Sequence, residues 1–287
     1  MMHCTLLAWS WFGHGQLTEL ALASAISQFA LLGKNFIYSR LLKIEATDSA
    51  IEAAALGSAG FGPSEKEIDE FIEKAQFAPP SDGEKRLARL FSPVPRWVQE
   101  EDIHRGNIPK VGEYIEHDSQ VRHYMRSYRD TPAQDANRKS VNYIQDHLKQ
   151  AWSGMHKGVN DLDTTAFDGG VKHLASALHT IEDSYSAGHT QRQAGTAMIQ
   201  DIYYWPDTGT AEGPVSWGQR EPWKGHEFYD VQFHSELYAK AKVATADFIL
   251  CVLKNLDQDE GVFLDECSDK IQTNFYTAWR EAELETP

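Results

Sequence analysis

The stretch "GGVKHLASALHTIEDSYSAGH" (169–189) lies past the middle of the chain and combines a helical pattern with clustered histidines and acidic residues. We predict a helix over 169–188, which Gly188 and its small neighbours end by turning the chain back. The apolar residues that give the helical spacing are Val171, Leu174, Leu178 and Ile181.

Four other stretches have the apolar spacing or composition of helices, whereas strand signals are scarce. The segment 190–225 differs, because its Tyr and Trp residues stand among glycines and prolines and are typical of a long loop. We therefore predict an all-α fold, a single-domain bundle of six to nine helices over 1–287, with a metal cluster in a cleft between helices. The four other predicted helices are 14–32, 64–78, 140–159 and 227–256.

The composition favours a soluble chain with an acidic surface. The 287 residues are 41% hydrophobic, and 42 acidic against 27 basic residues give a net charge of −15. Such a field repels polyanions, so nucleic acid is a disfavoured partner.

The cysteines and the N-terminus predict an intracellular setting. Cys4, Cys251 and Cys267 are odd in number and widely spaced, so we expect neither a disulfide framework nor a thiolate zinc site, and a reducing compartment. The N-terminus lacks the basic region of a signal peptide, and no apolar run is long enough to span a membrane. We expect the chain in the cytoplasm of the producing cell, or exported by a route that needs no signal peptide.

Histidine and aspartate recur at a spacing that suits metal binding. His179 and Asp183 are four residues apart on a predicted helix, so both side chains can reach one point, and imidazole and carboxylate suit zinc. His189 follows the turn and can bind a second ion. "HEFYD" (226–230) repeats the pairing with His226 and Asp230. The alternative is that such pairs are ordinary surface pairs of a helix.

Three of these motifs resemble a known superfamily. "ALHTIEDSYSAGHTQR" (177–192) resembles the H-x3-D-x5-H core of the zinc-dependent phospholipase C and single-strand-specific nuclease superfamily, and we place it closer to the phospholipase C branch. "HEFYD" resembles that family's next element, a His followed four residues later by an acid. "WSWFGH" (9–14) resembles the nuclease N-terminus, where a Trp and a His five residues later bind one zinc.

The resemblance implies two further ligands, an Asp and a His from the family's second region. "VQEEDIH" (98–104) and "VRHYMR" (121–126) are similar to its acidic and its His-aromatic segments, which matches Asp102 and His123 to these ligands, with Asp118 and His117 as competing choices. Carried over, the resemblance implies two or three zinc ions. Their ligands would be Asp102, His123, His179 and Asp183 for the first; His189, His226 and Asp230 for the second; and His14, the Trp9 backbone and the shared Asp183 for the third.

The chain departs from the family at its start. In the family the Trp is the mature N-terminus and its free amine binds metal, but eight residues precede Trp9 here. A peptide nitrogen is a poor ligand because its lone pair is delocalised. The hypothesis for this site is that His3 or Cys4 supplies the missing donor, or that the site is weak.

The function implied is hydrolysis of a phosphodiester by a zinc-activated water, with a phosphatidylcholine-like phospholipid as the leading substrate and transient contact with a membrane surface. Asp102 is implied as the general base or as the carboxylate that orients the water. Tyr203, Tyr204 and Trp205 can cage a quaternary ammonium group, stack bases or simply pack the loop. Glu182 is either a partner of a ligand histidine or solvated. The alternatives are a single-strand-specific zinc nuclease and a non-catalytic, zinc-stabilised toxin or binding protein.

Overall fold

The computed structural model describes the chain in eight stretches. Within them the fold is all-α, as predicted, with eight helices and one small antiparallel pair of strands. The described residues are 4–32, 36–55, 81–102, 120–126, 131–186, 189–193, 198–202 and 235–274.

The helices are numbered in chain order, and two short strands lie between α6 and α7. The helices are α1 Cys4–Leu31, α2 Phe36–Ala55, α3 Asp82–Leu90, α4 Val94–Asp102, α5 Ala133–Asp161, α6 Thr164–Asp183, α7 Ser235–Asn255 and α8 Glu260–Asn274. The strands are β1 Thr190–Arg192 and β2 Ile199–Ile202.

Helix α6 is the central element of the described fold. It packs against α5, α4 and α7 and also touches α1 and α2. Neighbours on so many sides bury every residue from Leu174 to Asp183, the polar ones included. A helix that ends in such surroundings brings its last side chains into the interior, where polar groups need partners or a bound ion.

Helices α5 and α6 form an antiparallel pair that approaches very closely. Leu162, in a left-handed conformation, and Asp163, whose carboxylate caps α6, connect them in two residues. A Cβ added to Gly154 would lie 2.6 Å from the Gly170 nitrogen, and one on Gly170 would lie 2.4 Å from the Met155 nitrogen. Glycine is therefore required at this crossing, because any side chain would force the two backbones apart.

The predicted helices overlap observed ones wherever the structure describes them, whereas 64–78 lies outside the described residues. The helix predicted to continue to residue 188 ends at Asp183, because the backbone nitrogens of Ser184, Tyr185 and Ser186 turn back onto its last carbonyls. The predicted and observed bounds are 14–32 against Cys4–Leu31, 140–159 against Ala133–Asp161, 169–188 against Thr164–Asp183, and 227–256 against Ser235–Asn255.

Two expectations were wrong. The segment 190–225 is not loop throughout, because β1 and β2 pair antiparallel at its start and bury Ile199 and Ile202. Strands of three and four residues are too short to show a clear alternation in sequence. Cys251 and Cys267 form a disulfide, against the expectation of none. They face each other because α7 and α8 fold back on one another, which brings their Cα atoms to 5.8 Å.

Candidate metal centre

Five of the predicted site residues meet at the C-terminal end of α6. His179 and Asp183 lie one turn apart in its last turns, His14 comes from α1, His123 from the segment before α5, and His189 directly precedes β1. The side chains of His14 and His123 are 8% and 12% exposed, and the other three are 1% exposed or less. Residues remote in sequence thus converge on one buried point.

One oxygen of Asp183 faces two imidazoles. Its Oδ2 atom lies 3.0 Å from His123 Nδ1 and 3.0 Å from His179 Nε2, and these two nitrogens are 3.1 Å apart. Atoms bound at about 2.0–2.2 Å to a tetrahedral zinc ion lie about 3.3–3.6 Å from one another. The three atoms are therefore within a few tenths of an ångström of the spacing that one such ion imposes.

The other oxygen of Asp183 faces His14. His14 Nε2 lies 3.0 Å from Oδ1, while His14 Nδ1 lies 2.8 Å from Oε2 of Glu182. A neutral ring that donates its Nδ1–H to Glu182 carries its lone pair on Nε2. Among the described residues, Asp183 Oδ1 is buried and accepts no hydrogen bond. Two lone pairs that face each other at this distance need a proton or a cation between them.

The donor set therefore fits a metal ion. His14, His179 and Asp183 offer ligand atoms that all lie within 4.8 Å of one another, and this buried group can hold an ion. Imidazole nitrogens with a carboxylate oxygen are ligands that zinc and its neighbours in the transition series accept. The expectation of a bound metal is supported at this level, without its identity or the number of ions.

Electrostatics keep Asp183 in its charged form. Burial on its own would raise the pKa of this carboxyl group, but the imidazoles around it prevail and hold the pKa well below its usual range. The largest of these contributions comes from His179, followed by His189 and His14. A buried carboxylate that stays ionised is the form that binds a cation.

Glu182 belongs to the site, so that of the two alternatives left open by the sequence, the partner of a histidine is the one observed and the solvated position is not. The residue is 3% exposed, its Oε2 accepts from His14, and its Oε1 accepts from the Thr18 hydroxyl at 2.7 Å. Burial raises the pKa of Glu182, and the hydrogen bond from His14 opposes this shift. Carboxylates that accept from the far nitrogen of a ligand histidine orient its ring, which is the role that the geometry gives Glu182.

His189 stands just outside the group around Asp183. Its Nδ1 contacts the backbone carbonyl of His123 and lies 3.8 Å from Asp183 Oδ2. An Nδ1–H that donates to this carbonyl leaves the lone pair on Nε2, which sets the tautomer that binds metal. Its predicted co-ligands His226 and Asp230 lie outside the described residues.

The segment that carries His123 is held by side chains that the sequence analysis missed. The Thr180 hydroxyl of α6 donates to the Arg122 carbonyl at 2.7 Å, and the Ser140 hydroxyl of α5 donates to the Val121 carbonyl at 2.9 Å. Thr180 lies one residue after His179, and such hydroxyls give no separate signal in a single sequence. Both bonds fix the backbone from which His123 reaches the site.

Other predicted residues are not tested by the geometry. Asp102 is the last residue of α4 and Trp9 lies inside α1, but the side chains of both, and that of Cys4, are outside the part described. Because Trp9 is within a helix, its nitrogen is a helical peptide group rather than a free amine. The predicted residues that fall in the gaps are His3, His117, Asp118, Tyr203, Tyr204, Trp205, His226 and Asp230.

Comparison with known proteins finds no family model, no curated protein and no solved structure that matches this chain. The phospholipase C and nuclease resemblance therefore rests on the short motifs quoted above. None of the helices in the described ranges has both the length and the apolar character needed to cross a bilayer.

Proposed function

We propose that this chain is a zinc-dependent phosphodiester hydrolase of the phospholipase C type, acting on phospholipids with a phosphatidylcholine-like head group. The observation that carries the proposal is the position of Asp183. Its two oxygens face imidazoles from three separate parts of the chain, in a buried site where the carboxylate stays charged. A carboxylate placed in this way can bridge two cations, and paired cations are typical of enzymes that cleave phosphodiesters.

We propose that the site holds two or three zinc ions and that two of them share Asp183 as a ligand. His123, His179 and Asp183 Oδ2 would hold the first, with Asp102 as a further ligand, and His14 with Asp183 Oδ1 would hold another. The remaining ion would use His189 with His226 and Asp230, as the family resemblance implies.

Bound zinc ions would supply a Lewis acid for the phosphoryl oxygens and would lower the pKa of water towards neutrality. The chain's own residues hold the donors in place. Glu182 fixes the ring of His14, and the His123 carbonyl fixes that of His189. We assign to Asp102 the role of general base or of orienting the attacking water. Its neighbour Glu101 accepts a hydrogen bond from Ser176 of α6 at 2.9 Å, so the end of α4 lies against the helix that carries the cluster.

The substrate assignment rests on charge and on the aromatic segment after β2. A net charge of −15 disfavours the polyanionic backbone of a nucleic acid more than a single phosphodiester in a zwitterionic head group. Tyr203, Tyr204 and Trp205 are proposed to receive the quaternary ammonium group through cation–π contacts.

The test offers choline phospholipid vesicles and single-stranded DNA to the full chain loaded with Zn²⁺, with the metal content measured on the same sample. Release of phosphocholine is expected. Nucleotides released instead would make the chain a nuclease, and full occupancy without turnover would make it a non-catalytic zinc protein.

Two variants and one control assign the activity to this site. His179→Ala and Asp183→Asn should abolish turnover and lower the thermal midpoint, because loss of a ligand removes binding energy that supports the fold. His156→Ala is the matched control, because His156 lies on α5 away from the cluster, with its Nδ1 atom 2.7 Å from the Leu256 carbonyl oxygen. Turnover that survives in both site variants would exclude the cluster as the reaction centre.

A further inference from the structure

A second pair of imidazoles lies apart from the cluster, between α5 and α6. His147 Nδ1 and His173 Nδ1 are 3.1 Å apart, and the ring centroids are 5.2 Å apart. Both side chains are partly exposed, so an ion from solvent can reach them. When one ring nitrogen donates to another, the accepting ring is neutral, and the neutral ring is the form that binds a metal.

The close packing of α5 and α6 brings the rings of His147 and His173 together. The glycine crossing at Gly154 and Gly170 holds α5 and α6 at close approach, and His147 and His173 lie two turns and one turn away from it along the same antiparallel pair. Tyr143, one turn before His147 on α5, packs on its ring at a centroid distance of 4.3 Å. This packing limits the orientations of the His147 ring, so less conformational entropy is lost when it binds an ion.

A carboxylate lies nearby on a third helix. Glu101 of α4 is anchored by the Ser176 hydroxyl, which lies on α6 one turn after His173. Burial lowers the pKa of both His147 and His173, and the negative charge of Glu101 opposes this shift in both rings. The carboxylate of Glu101, held by Ser176, thus adds negative charge that favours a cation at the two rings.

We propose that His147 and His173 form a separate two-imidazole binding site for a divalent transition-metal ion such as Zn²⁺, with water in the remaining positions. The separation of 3.1 Å between the nitrogens is close to the ligand spacing of about 3.3–3.5 Å around a tetrahedral zinc ion. The site is distinct from the cluster, because His173 and His179 are six residues apart on α6. This is about 9 Å along the helix axis and about 120° around it. The ion would tie α5 and α6 together.

The test is a zinc titration of the full chain by equilibrium dialysis, with bound metal counted. The wild type should bind one more Zn²⁺ per chain than His147→Ala or His173→Ala, and both variants should lose the same ion. Removing one of two imidazoles should weaken this site by at least about tenfold. His156→Ala, on the same helix as His147, should keep the full count, and His179→Ala should lose metal at the cluster but keep this ion.

Equal counts and affinities in the wild type and both alanine variants would overturn the proposal. If the alanine variants do not fold, His147→Gln and His173→Asn replace them, because they keep a polar group in the same space. The wild type gives an independent readout that needs no substitution. The ring nitrogen NMR signals of His147 and His173 should shift together as Zn²⁺ is added, and signals that stay in place after the cluster is loaded would equally reject the site.

Discussion

Replacing Glu182 with glutamine separates the charge of this carboxylate from its hydrogen bonds. Glu182 accepts from His14 at 2.8 Å and from Thr18 at 2.7 Å. In the Glu182→Gln variant the new amide oxygen can still accept from His14, and the new NH₂ group can donate to the Thr18 hydroxyl. The variant therefore keeps the shape and both contacts but loses the negative charge that supports the His14 ring.

The size of the effect follows from the type of bond that changes. A hydrogen bond to a charged group contributes about 1.5–3 kcal/mol and a neutral one about 0.5–1.5 kcal/mol. Exchanging one for the other at His14 thus costs about 1–1.5 kcal/mol, so the metal held by His14 and Asp183 should bind about 5–12-fold more weakly. Glu182→Ala loses the whole bond, and the expected loss rises to about 10–150-fold.

Competition with a chromogenic zinc chelator measures this affinity directly. The matched control is Glu45→Gln, because Glu45 is 4% exposed and pairs with Arg86 at 2.7 Å and Arg89 at 2.9 Å, apart from the metal donors. The control should lower stability and leave zinc affinity unchanged. The smallest expected loss of zinc affinity is about fivefold. If both Glu182 variants fold and bind every zinc ion with an affinity within about twofold of the wild type, Glu182 has no role in holding His14.

Three further outcomes are expected. Gly170→Ala should lower the free energy of unfolding by about 1–3 kcal/mol, because the new Cβ overlaps the backbone of α5. Gly169→Ala should raise the free energy of unfolding by about 0.5–1 kcal/mol, because its Cβ meets nothing within 4 Å. Urea midpoints measure both variants, and equal midpoints would contradict the close crossing of α5 and α6. The pKa of Asp183 is lower in the folded state than in the unfolded state. The ionised carboxylate therefore stabilises the fold at any pH above its unfolded pKa of about 3.9, and this stabilisation is lost as the pH falls through the folded pKa. The thermal midpoint of the metal-free protein should accordingly fall more steeply below about pH 4 than that of Asp183→Asn, and parallel curves would refute this. Thr180→Val should weaken zinc binding although it removes no ligand, because it frees the segment that carries His123, and Thr180→Ser should restore the affinity.

Local periodicity accounts for most of what the sequence predicted correctly. The four predicted helices that can be compared all exist, because apolar residues at helical spacing, or an Ala- and Leu-rich composition in 14–32, mark segments that bury side chains as helices. The same spacing placed His179 and Asp183 on one face of α6, where they lie 3.0 Å apart. Helix ends were less accurate, since the end of α6 depends on how Ser184 and its neighbours turn back rather than on the apolar pattern.

The convergence of His14 and His123 on Asp183 was predicted only by family resemblance. No spacing rule connects residue 14 or 123 with residue 183, because contacts between elements depend on how the helices pack. The motifs "WSWFGH" and "VRHYMR" supplied the two residues, and the geometry brings both rings to 3.0 Å from the carboxylate. Their role as zinc ligands stays a prediction until metal is measured.

Glu182 shows why part of the site could not be read from a single sequence. A residue that follows or precedes a ligand residue on a helix projects about 100° around the axis from that ligand. On an amphipathic helix, a side chain in that direction often faces solvent. Helix α6 is amphipathic only in its first half, because neighbours on all sides bury the residues from Leu174 onwards. The burial that makes Glu182 a partner of His14 is thus a property of the packed helices. The same burial gives the carboxylate its effect, since a charge exposed to water at that position would be too well solvated to orient a ring.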